Sequence, residues 1–184
     1  ALLKAGDHII VPHSIFYEVI DQLNYEASNR GIEMSIIDEY AAVAFEAAIR
    51  PNTKIIFIEA PTNPAFLDIN IPDLVQLCSK NNIILVVDNT FLTPVCQKPL
   101  SLGAAVTLYS ITKHINGHGD VMGGMVSTND PALFKALKYH RESAGLILDP
   151  FTAWLTIRGL RTLPLRLKKH TDNAHAVIAM IREE

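Results

Sequence analysis

The residues best suited to chemistry lie in and around VTLYSITKHINGHGDVMGG, residues 106–124, where an apolar run meets Lys113 between Ser110 and Thr112. An amine held at the mouth of an apolar strand is shielded from water and can attack a carbonyl carbon to form a Schiff base. The two neighbouring hydroxyls can donate hydrogen bonds to a phosphate. Asp88 closes IILVVD, the most apolar stretch of the chain, and a carboxylate there must find a partner or bear a heavy desolvation cost. Taken singly, Lys113 reads as a surface lysine and Asp88 as a helix or turn cap. Taken together they form an amine, an acid and a pair of hydroxyls, each at the end of an apolar segment.

Those segments must be positioned by a fold. HIIV, IEMSII, KIIFIEA, IILVVD and AVTLYS read as strands, with GGMVST as a further candidate. Helical patterns fall between them, in SIFYEVIDQLNYEAS, EYAAVAFEAAI (closed by Pro51) and IPDLVQLCSKNN, where Pro72 suits a first turn. PTNP ends the third strand, because two prolines cannot continue it. From Pro131 the pattern is mostly helical, with a long amphipathic tail after Pro164. Strands apolar on both faces, alternating with helices, predict an α/β protein with a mostly parallel sheet covered on both sides. Chemistry in such sheets gathers beyond the carboxyl ends of the strands, here after Val11, Ile58, Val87 and Tyr109.

An amine for an aldehyde, an acid against a ring nitrogen, donors for a phosphate and an aromatic face are what pyridoxal 5'-phosphate requires. The motifs EAPTNP, VVDNTF.TP..Q.PL.LGA and SITKHINGHGDVMGG, together with LLKAGDHIIV and PFTAWLTIRGLRTLPLRLKKHTDNA, also resemble a known family. They are similar to the Cys/Met-metabolism enzymes that use pyridoxal phosphate, the group of cystathionine gamma-synthase, cystathionine gamma-lyase and methionine gamma-lyase. The resemblance implies the large domain of the fold type I pyridoxal phosphate enzymes. It implies that Lys113 is the Schiff-base lysine, that Asp88 pairs with the pyridine nitrogen, and that Ser110 and Thr112 hold the phosphate. Asn63 would lie near the ring hydroxyl, and Thr90 would support the ring. The substrate would be a sulfur-containing or activated-homoserine amino acid. NGHGD favours gamma-elimination over the gamma-replacement of the synthases. The assembly would be a homo-oligomer, a dimer of dimers.

One departure stands at Phe16, where the family has a tyrosine followed by two glycines and this chain continues with Tyr17 and Glu18. A phenyl ring still stacks on the cofactor but brings no phenol to handle protons. The substitution leaves room for a non-catalytic relative that only binds the cofactor, whereas a nucleotide-dependent dehydrogenase is disfavoured because no G-x-G-x-x-G follows the first strand. His118 lacks companions for a metal site and is expected to pack, as is His114; Asp120 is expected to be structural.

The opening ALLKAGD reads as the last turn of a helix stopped at Gly6, which points to a fragment. Residues 1–160 would be a partial cofactor domain and 161–184 a helix leading to a second domain. The family's upstream phosphate loop, and the downstream arginine that grips the substrate carboxylate, would lie outside the chain. Composition sets outer bounds: of 184 residues, 49% are apolar and 19% charged, enough for a core. A net charge of -3 without a basic block argues against nucleic acid. No apolar run approaches the roughly 20 residues that span a bilayer, so no membrane is expected. Cys78 and Cys96, far apart, read as reduced thiols of a cytoplasmic protein.

Overall fold

The five most apolar segments pair side by side, as two-faced burial requires. The computed structural model describes residues 1–183. β1 (His8–Pro12), β2 (Glu33–Ile37), β3 (Thr53–Glu59), β4 (Ile84–Asp88) and β5 (Val106–Ser110) run parallel. β6 (Gly124–Ser127) joins β5 antiparallel, giving the order β2-β1-β3-β4-β5-β6. The helices are α1 (Tyr17–Arg30), α2 (Ala42–Ala47), α3 (Ile71–Asn81), the single turn α4 (Thr93–Cys96), α5 (Pro131–Ser143), α6 (Pro150–Leu160) and α7 (Leu163–Glu183).

Side chains alternate along each strand, so the sheet divides its apolar residues between two cores. Ile10, Ile56, Ile58, Leu85 and Val87 pack with Phe45 of α2 and Leu74 and Leu77 of α3. Ile9, Val11, Ile55, Phe57, Val86 and Val106 point the other way, against Val19, Ile20 and Leu23 of α1 and Leu133 and Leu137 of α5. Helix starts are set by side chains that accept the unpaired first amides: Asn70 for α3, Asp130 for α5 and Asp149 for α6, each with a proline in the first turn. α7 holds to the body through Leu163 and Leu167, which pack on Tyr109, Ile111 and Ile115.

Two expectations need correction. Residues 1–4 are not helical: Lys4 N–H donates to the Asp7 carboxylate at 2.9 Å, Asp7 N–H to the Lys4 carbonyl at 3.0 Å, and Gly6 turns with φ of 84°. Asp7 thus ties the segment into a turn, and Gly6 N–H bonds across to the Gly31 carbonyl instead of ending a helix. His118 does not pack. It is exposed, with Nδ1 2.7 Å from the Asn116 carbonyl.

No helix among the described residues is long and apolar enough to cross a membrane. Cys78 and Cys96 are free; burial pushes the Cys78 thiol up to about 12. α6 leaves Phe151, Trp154 and Ile157 exposed, and α7 does the same with Val177, Ile178 and Ile181.

Candidate active site

Chain order and spatial order disagree at β1: the next strand lies on one side of it and β3 on the other. A parallel sheet opens a crevice beyond the strand ends at such a point. Phe16 follows β1, Asn63 follows β3, Asp88 ends β4, and Ser110 ends β5. Four of the expected residues therefore share one edge of the sheet because their strands are parallel neighbours.

Asp88 is the fixed centre of this edge. Its Oδ1 accepts hydrogen bonds from the Thr90 hydroxyl at 2.6 Å and the Thr90 backbone N–H at 2.9 Å. The same Thr90 oxygen accepts from the backbone N–H of Ser110 at 2.8 Å. One threonine thus couples the acid of β4 to the last residue of β5, where the lysine turn begins. Burial raises the pKa of Asp88, and the two Thr90 bonds oppose that rise. Asp88 has no cationic partner among the described residues.

Beyond Ser110 the chain makes a π-helical turn over Ile111–Ile115, and Lys113 interrupts it with φ of -89° and ψ of -132°. Ile111 and Ile115 are buried anchors on either side, while Lys113 is exposed. The shielding expected for the amine is absent, because the anchoring isoleucines take the apolar contacts and the break between them turns the lysine outward. Lys113 forms no ion pair among the described residues. Gly117 and Gly119, with φ of 74° and 69°, carry the backbone away in a conformation that favours glycine.

The phosphate donors are differently committed. Thr112 Oγ1 accepts from the Gly123 N–H at 3.0 Å, and its own contact with the Gly123 carbonyl is a long 3.5 Å, so its hydrogen is weakly used. Ser110 contributes its backbone N–H to Thr90, and its hydroxyl has no such tie among the described residues. His114 packs edge-on to His170, with ring centroids 5.5 Å apart, and Asp120 accepts from the Asn116 side chain at 2.6 Å. Phe16 is 42% exposed, its ring 5.7 Å from that of Tyr17.

Two contributors escaped the sequence reading. Glu59, 6% exposed and paired in register with Asp88, accepts at one oxygen from the backbone N–H groups of Phe16 and Asn63, both at 3.0 Å. Burial, and then the Asp88 charge, push its carboxyl up to about 7 against the pull of those two bonds. The signal was present in IIFIEAP, an acid closing an apolar strand, as in the case of Asp88. Arg166 of α7 donates to the carbonyls of His114 at 2.8 Å, Ile115 at 3.2 Å and Gly159 at 2.9 Å, clamping the lysine turn from outside. Its two partners in the lysine turn lie about 50 residues away in sequence, and no local pattern reveals them.

The set fits pyridoxal phosphate. A half-buried acid without a cation suits a protonated ring nitrogen, and spare hydroxyl hydrogens at Ser110 and Thr112 suit a phosphate. Lys113 offers a primary amine that no carboxylate holds.

Comparison with known proteins agrees. The family described as Cys/Met metabolism PLP-dependent enzyme matches residues 1–184. Human cystathionine gamma-lyase is 42% identical over 177 residues, covering 96% of this chain and 44% of that protein. Cystathionine gamma-synthase of Haemophilus influenzae is 40% identical over 186 residues, covering 100% of this chain and 50% of that protein. The crystal structure of cystathionine gamma-lyase from Lactobacillus plantarum complexed with L-serine superimposes with a TM-score of 0.95 at 36% identity, over 98% of this chain and 48% of that one. The chain spans about half the length of the curated relatives it matches. It belongs to the Cys/Met metabolism family of pyridoxal phosphate-dependent enzymes.

Proposed function

We propose that the protein, at the length of its relatives, cleaves a carbon–sulfur bond of a sulfur amino acid by gamma-elimination, with cystathionine, methionine or homocysteine as the substrate class. The observation that carries this reading is the hydrogen-bonded line from Asp88 through Thr90 to Ser110, which ends at the turn bearing Lys113. Bound pyridoxal phosphate would supply an aldehyde for amines and an electron sink for a carbanion at the alpha carbon. Asp88 would hold a proton on the ring nitrogen, with the two Thr90 hydrogen bonds fixing its carboxylate. Ser110 and Thr112 donate to the phosphate. Phe16 would cover a ring face, Asn63 would stand by the ring hydroxyl, and Lys113 would take and return the proton at the substrate carbons. The exposed apolar residues of α6 and α7 suit contact between subunits. Two free thiols suit a cytoplasmic setting.

Gamma-replacement on an activated homoserine is a second reading, favoured by near-equal identity to a synthase and a lyase, 40% and 42%. Assays of 2-oxoacid release from cystathionine, and of cystathionine formation from an activated homoserine and cysteine, separate the two. Faster 2-oxoacid release supports elimination. Cofactor binding with neither product assigns a binding role, in which case Phe16→Tyr measures how much the missing phenol accounts for.

A further inference from the structure

The loops that follow β1 and β3 lie at the same end of the sheet, and each carries a residue assigned to the cofactor ring. Their backbones meet at one atom. Glu59 Oε2 accepts the Phe16 N–H and the Asn63 N–H, each at 3.0 Å. We infer that Glu59 is a positioning residue, which sets the spacing between Phe16 and Asn63 so that the ring site is formed before the cofactor arrives. The inference rests on the reading of the site as a pyridoxal phosphate site.

The choice of an acid at this place is otherwise costly. Glu59 is 6% exposed, and its register partner on β4 is a second carboxylate, Asp88. A carboxylate accepts more strongly than a neutral amide and can serve two amides at one oxygen. The acid is also braced from behind. Gln97 donates to the carbonyl of Ala60, the residue after Glu59, at 3.0 Å and to Asn89 Oδ1 at 2.9 Å. The end of β3 is therefore rigid, and the two loops are hung from it.

The test compares Glu59→Gln, which keeps an oxygen able to accept both bonds, with Glu59→Met, which fills similar volume and accepts neither. The readouts are the dissociation constant for pyridoxal phosphate and the circular dichroism of the bound cofactor, which reports how tightly its ring is held. Glu59→Met should weaken binding by about tenfold or more and diminish the cofactor signal, as expected for two lost hydrogen bonds. Glu59→Gln should stay within about threefold of the parent and keep the signal. Equal affinity and equal dichroism in Glu59→Met would overturn the inference. Should that variant not fold, Glu59→Ala replaces it. Failure of both to fold while Glu59→Gln folds and binds would make the residue structural and also overturn it. A parent protein that does not bind pyridoxal phosphate would overturn the functional reading along with the inference.

Discussion

In the proposed site Asp88 and Lys113 serve one cofactor, yet they stand in opposite surroundings. Asp88 is held at the end of a central strand, mostly out of water, with two hydrogen bonds from Thr90 fixing one oxygen. Lys113 is exposed, at a break in a π-helical turn, without an ionic partner among the described residues. The contrast follows from what each group does. A carboxylate that must keep a ring nitrogen protonated works best with fixed geometry in a poorly hydrated place. An amine that must attack, leave and return needs freedom of its side chain, and the protein fixes only the backbone beneath it. Ile111 and Ile115 do that from within and Arg166 from outside.

The largest effect should come from breaking the fixed pole. Asp88→Asn keeps the shape and much of the cofactor contact but loses the charge, and turnover should fall on the order of 10²–10³-fold with cofactor still bound. Near-parent rates would reduce Asp88 to a turn cap.

The next effect is one of pH. Glu59 has an ordinary carboxyl value of 4.5 when unfolded and is pushed up to about 7 in the folded chain. The folded state therefore binds the proton more tightly. The cost of burying the charge is absent below the unfolded value, grows as pH rises between the two values, and is complete above the folded one. Protein stripped of cofactor should lose about 3 kcal/mol of stability across that window from this group, with Asp88 adding in the same direction. Denaturant unfolding measured at pH 5 and pH 8 checks the sign, and Glu59→Gln should flatten the slope. Stability that rises with pH in that window would contradict the picture of two carboxylates confined together.

A smaller effect sharpens the other pole. Arg166→Met removes donors to the carbonyls of His114, Ile115 and Gly159. The expected loss is about 2 kcal/mol, or roughly 4–8 °C in melting temperature, since water can reach part of the turn. Cofactor attachment should slow more than cofactor affinity falls. An unchanged melting temperature would show that the two isoleucines hold the turn unaided.

Much of this was legible in the amino-acid sequence, for a physical reason. Apolar runs such as IILVVD tolerate a terminal carboxylate only at a sheet edge, so Asp88 could be placed before any coordinates. The same logic applied to Glu59, but the prolines that follow drew attention to the loop and away from the acid. The exposure of Lys113 was not legible: the apolar run before it looks like its shield, and only the three-dimensional turn reveals that Ile111 and Ile115 take the buried positions. Arg166 reaches back over about 50 residues. Periodicity places its helix and says nothing of the carbonyls it meets. The helix expected at the start of the chain failed because Asp7, a better turn former, closed the segment on itself.

In the proposed site the exposed Lys113 is the point of attachment. Saturating the protein with pyridoxal phosphate, reducing it with borohydride and mapping the peptides by mass spectrometry tests this most directly. The cofactor's mass is expected on the peptide containing Lys113, and its disappearance in Lys113→Ala. A label on another lysine, with Lys113 unmodified, would contradict it.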